Sequence, residues 1–60
     1  MTVEQLINRM EYDVQVKVWD NNEDDDPLYE GNCGGVPPEL CEREVTNIYA
    51  GNYVIGIDTD

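Results

Sequence analysis

Any fold this chain adopts must accommodate fourteen carboxylates against three basic side chains, a net charge of −11 over 60 residues. Self-repulsion on that scale opposes compaction while favouring solubility. Six of the acids, Asp20, Glu23, Asp24, Asp25, Asp26 and Glu30, fall in one eleven-residue stretch without Lys or Arg. A surface of this sign is repelled by nucleic acid and by anionic membranes, and is drawn to basic partners.

High charge with modest hydrophobicity is also the signature of disorder. The apolar residues argue otherwise, because they are periodic. Val3, Leu6, Ile7 and Met10 recur at helical spacing, behind a Thr2 cap with Gln5 at the capping-box position. Glu4 lies in the first turn, where a negative charge suits the helix dipole. Residues 12–19 then alternate strictly, which predicts a strand with Tyr12, Val14, Val16 and Val18 on one face. Asp13, Gln15, Lys17 and Trp19 take the other face, with Trp19 expected to be exposed. There it covers a neighbouring strand or loop, or serves as a binding anchor.

Turn formers, like charges and Pro27 break the pattern, so residues 20–27 are expected to form an exposed, mobile acidic loop. Leu28, Tyr29 and Glu30 make a short return strand against the first. Pro38 suits the opening of a helical turn over 38–42, anchored by Leu40 and Cys41. Residues 44–49 and 53–57 read as a hairpin around a three-residue loop, Ala50-Gly51-Asn52, with Tyr53, Ile55 and Ile57 sharing a face. Gly56 marks a bulge or a close approach by another backbone. Residues 58–60 are expected to fray.

The predicted fold is therefore α+β in one domain, 1–60. It has an antiparallel sheet of about four strands, the N-terminal helix on one face and a short helical turn mid-chain. A domain of this size buries only about 60% of its unfolded surface. An open sheet edge and a thin core both favour a homodimer.

The residue inventory argues against catalysis. The chain has neither His nor Ser, and its cysteines have no imidazole to activate them. Cys33 and Cys41 are expected to be free thiols, although their C-x7-C spacing leaves a disulfide open. No cofactor is implied. Asp20-x-Asn22-x-Asp24 opens like a calcium loop, but Asp25 and Gly31 stand where that loop needs Gly and Glu. With no run of 18 apolar residues and no basic leader, a cytoplasmic location is expected. Only Arg9, Lys17 and Arg43 could contact phosphates, so direct nucleic-acid binding is not expected. Rows of carboxylates can instead imitate phosphates and occupy a basic groove.

The segments Thr2-Val3-Glu4-Gln5-Leu6-Ile7, Tyr12 through Asp20, Leu28-Tyr29-Glu30-Gly31 and Val36-Pro37-Pro38-Glu39-Leu40, with the closing hairpin, form a recognisable pattern. It resembles small acidic proteins carried by phages and mobile elements of Gram-positive bacteria, some of which are anti-CRISPR inhibitors. That resemblance implies a non-enzymatic inhibitor occupying a basic host protein such as a nuclease. It carries no functional residue across. From the sequence itself, the partner-binding candidates are Trp19, Asp20, Glu23, Asp24, Asp25, Asp26 and Glu30. The competing expectation is a structural or regulatory homo-oligomer whose acidity serves only solubility.

Overall fold

Two fully buried stretches, Val16 with Val18 and Ile57 with Thr59, lie side by side at the centre of the computed structural model, which describes residues 1–21 and 26–60. The elements in chain order are helix α1 (Val3–Ile7), strands β1 (Gln15–Asp20) and β2 (Tyr29–Asn32), a 3-10 turn (Cys33–Gly35), helix α2 (Pro38–Cys41), and strands β3 (Val45–Gly51) and β4 (Val54–Thr59). The four strands form one sheet in the order β2-β1-β4-β3. Strands β1 and β2 pair antiparallel, as do β3 and β4, but β1 and β4 run parallel. The α+β architecture matches the expectation from sequence, whereas the sheet is mixed rather than wholly antiparallel.

The parallel pair has a physical reason. A parallel ladder is best covered on its faces and flanked at its edges. Strands β1 and β4 bring the densest β-branched runs of their respective hairpins, and pairing them puts both in the middle. The register sets Val16 beside Ile55 and Val18 beside Ile57. Val3 of α1 and Leu40 of α2 close over them, with Val36 and Cys33 completing the core.

Helix α1 begins as its sequence dictates. Thr2 Oγ1 accepts from the Gln5 N–H at 3.2 Å, and Gln5 Oε1 accepts from the Thr2 N–H at 2.9 Å. Of its stripe Val3 is fully buried, while Leu6, Ile7 and Met10 pack partly against the core. A helix of only five residues would not survive alone. It is held by a backbone bridge from Thr2 to Glu44, flanked by Val3 N–H donating to Arg43 O and Val45 N–H to Met1 O.

Several local expectations are corrected. Tyr12 is 79% exposed and not on the inward face, because the chain turns before β1, with Val14 N–H donating to Glu11 O at 3.1 Å. The β3–β4 hairpin pairs Gly51 with Val54, so its turn is Asn52-Tyr53 rather than Ala50-Gly51-Asn52. Tyr53 consequently leaves the face of Ile55 and Ile57, standing 98% exposed at φ 63. Gly56 is approached by the ring of Tyr49, a side chain and not a backbone, and the sheet's register shift lies between Val45 and Asn47.

Residues 58–59 do not fray. Asp58 and Thr59 belong to β4, and Thr59 is fully buried. Asn21 N–H donates to Thr59 O at 2.8 Å, and Asp60 N–H to Glu44 O at 3.0 Å.

This arrangement gives a sharp contrast between two residues that the alternating pattern treats alike. Ile57→Ala should lower unfolding free energy by about 3 kcal/mol, since it opens a cavity in the centre of the core. Tyr12→Ala should change it by less than about 0.5 kcal/mol, as a surface substitution does. Urea denaturation followed by Trp19 fluorescence measures both.

Candidate functional site

Of the candidate residues, Trp19 and Asp20 close β1, Asp26 precedes β2 and Glu30 lies within it, and the structure assigns these four different surroundings. Asp20 closes β1 on the face that carries Val16 and Val18. Its Oδ2 receives Arg43 Nη1 at 3.3 Å, in an ion pair with both side chains largely shielded. Arg43 also reaches Thr59 Oγ1 at 3.4 Å, and that hydroxyl donates to Trp19 O at 2.7 Å. Asp20 is thus part of a clasp joining β1, β4 and the segment after α2, and not part of a free acidic loop.

Glu30 and Asp26 are exposed. The Glu30 carboxylate lies 3.7 Å from Lys17 Nζ across the β1–β2 ladder, on the face away from the helices. Beside that pair Gln15 Nε2 donates to Asn32 Oδ1. Glu23, Asp24 and Asp25, the remaining candidates, lie outside the described residues, as does Asn22.

Trp19 differs from expectation. It is half-buried rather than exposed, and its indole Nε1 is shielded from solvent without a hydrogen-bond partner among the described residues. A buried N–H with no acceptor costs about 1–3 kcal/mol. Its position in β1 sets it beside Asp58 of β4, on the Lys17 and Glu30 face. Trp19 thus stands on the outer face that the alternation assigns it, with more cover than expected.

A second acidic surface was not anticipated. Glu4 of α1, Glu39 of α2 and Glu42 just after it surround the Cys41 thiol, lining a shallow groove with Val36 and Pro38. Burial pushes the Cys41 thiol above its ordinary value, and Glu4, Glu39 and Glu42 push it in the same direction. Its proton is held towards Val36 O at 3.7 Å. Cys33 is buried and donates to Glu11 O at 3.0 Å, and both cysteines are free. The sequence hint for this surface was the spacing Glu39-x-x-Glu42 on a short helical turn. What brings Glu4 to it is the contact of α1 with α2, which no local pattern encodes.

Among the described residues no helix is long and apolar enough to cross a membrane. No protein-family model, curated protein or solved structure matches this chain.

Two predictions follow from these surroundings. Trp19→Phe should alter stability by less than about 1 kcal/mol, since it removes an unpaired donor together with some packing area, whereas Trp19→Ala should cost about 3 kcal/mol. Equilibrium unfolding of the two variants, followed by circular dichroism, separates these outcomes.

The thiolate is the reactive form of cysteine. Cys41 should therefore alkylate with iodoacetamide more slowly at pH 8 than an unstructured cysteine, and faster as pH rises. Replacing Glu4, Glu39 and Glu42 with Gln should raise the rate at fixed pH, read by mass spectrometry. The sign for stability follows: the unfolded chain loses this proton first, so stability falls as pH climbs above the unfolded thiol value.

Proposed function

We propose that this chain is a non-enzymatic interaction protein whose acidic surface occupies a basic, nucleic-acid-binding surface of a host protein. It would act as an inhibitor of the nucleic-acid-mimic or anti-CRISPR kind. The observation that supports this reading is how little of the charge is used inside the fold. Every described carboxylate residue other than Asp20 and Asp58 is exposed. The ion pairs among described residues are Met1 with Glu44, Lys17 with Glu30 and Arg43 with Asp20, which leave most of the negative charge facing solvent.

Charge of this kind speeds encounter with a basic partner, while desolvated aromatic or apolar groups prolong the complex. Asp26 and Glu30, with Glu23, Asp24 and Asp25 of the same segment, provide the charge. Trp19, on the strand beside them, provides the apolar anchor. Glu30 lies on a strand, where alternate positions are about 6.6 Å apart, near twice the phosphate repeat of one DNA strand, a spacing that suits a groove shaped for a nucleic-acid backbone.

The immobilised protein should capture a basic nucleic-acid-binding protein from bacterial lysate at low salt, and duplex DNA should displace it. Replacing Asp24, Asp25 and Asp26 with Asn should weaken that association at least about tenfold, in line with the loss of three phosphate-like charges. Replacing Glu4, Glu39 and Glu42 with Gln should weaken it less. A triple Asn variant that binds as the wild type does, with no dependence on salt, would refute the proposal.

A further inference from the structure

Residues 45–57 contain no Asp, Glu, Lys or Arg, although charged residues make up 28% of the chain. That neutral segment is the β3–β4 hairpin up to Ile57, and β3 is an edge of the sheet. Every second residue of β3 therefore turns its N–H and C=O away from β4, towards no other strand of the sheet. Ile48 is 45% exposed and Tyr49 is 43% exposed, on opposite faces of the same strand. Proteins usually blunt an open edge with charge, proline or brevity. The β2 edge follows that rule: it is four residues long, carries Glu30 and has Gly31 at φ 152. The β3 edge is seven residues long and has none of those devices beyond the register shift at its start.

We propose that β3 is a pairing edge for a second copy of this chain, joining two sheets across a two-fold axis into one of eight strands. The occupant is identified by charge. Two copies at −11 repel each other through every surface that carries the acids, and the uncharged hairpin is where they approach at least electrostatic cost. A basic partner, by contrast, gains nothing from this strip. The part of β3 that pairs regularly with β4, from Asn47 to Gly51, has Tyr49 at its centre. Antiparallel pairing centred on Tyr49 sets Tyr49 against its own mate on one face. On the other it sets Ile48 against the mate's Ala50, covering apolar surface left open by α1. The two helical layers then lie on the same side of the joined sheet.

This interface is separate from the acidic surface, and the two respond oppositely to salt. Screening weakens attraction to a basic partner but relieves repulsion between two acidic copies. Sedimentation equilibrium over a concentration series should show a species of twice 6.9 kDa whose population grows as NaCl is raised. Ile48→Glu should raise the dimer dissociation constant at least tenfold with unchanged circular dichroism. Ala50→Glu should do the same, and it decides the matter if the Ile48 variant loses its fold. Tyr53→Glu adds the same charge at the hairpin tip, outside the ladder, and should leave the dimer in place. A 6.9 kDa species at every concentration and salt overturns the proposal. So does a dimer that survives both edge variants, or one that Tyr53→Glu abolishes equally. Failure here leaves capture by a basic protein untouched, because that association is read at low salt and through different residues.

Discussion

The parallel ladder between β1 and β4 is the contact on which the other features of this small fold depend. It places Val16, Val18, Ile55 and Ile57 in one block, and the helices have an apolar surface to cover only because that block exists. Hydrophobic burial is roughly proportional to area removed from water, and a 60-residue chain has little area to offer. Concentrating it at two central strands is how so acidic a chain can fold. Each flanking strand then needs only one good neighbour, and both edges are left thin.

A parallel central pair joins segments distant in sequence, so something must hold the ends. Here the chain closes on itself at Glu44. The Met1 ammonium lies 3.1 Å from its Oε2, Thr2 bridges to it, and Asp60 N–H donates to its carbonyl. One residue earlier, Arg43 reaches Asp20 and Thr59, and Thr59 in turn reaches the Trp19 carbonyl. Arg43 is thus used inside the fold and not displayed on it. Its pairing is partly shielded, so it matters more than the exposed contact of Lys17 with Glu30, where solvent screens the attraction.

What could be read from sequence was whatever depends on residues close together. Thr2 with Gln5, the alternation from Val14 to Val18, and Pro38 opening α2 each announce a local geometry, and the structure contains each of them. What could not be read depends on partners far apart. Thr59 gave no sign of burial, because a terminal threonine serves equally well in a strand or in solvent until a distant carbonyl accepts its hydroxyl. Tyr12 and Tyr53 continued an alternating pattern beyond the strand that produced it, and in both cases a turn ended the strand first. Asp20 was grouped with its acidic neighbours by composition, although Arg43 draws it to the opposite role. Trp19 was placed on the correct face but with too little cover, since burial on an outer sheet face depends on what lies across from it.

The charge itself divides the molecule. Had the carboxylates been scattered evenly, every surface would repel a second copy alike, and the open β3 edge would be protected without further provision. They are instead missing from residues 45–57 and dense before them, so the chain that is most strongly defended against association over most of its surface is undefended at its longest edge. A central strand such as β4, whose stretch from Val54 to Ile57 is uncharged and buried on one face, gains stability by excluding charge there. Strand β3, exposed along most of its length, gains none by that argument. Burial therefore accounts for the lack of charge in β4 up to Ile57 but not for the neutrality of β3. The unexplained half is the one that faces outward.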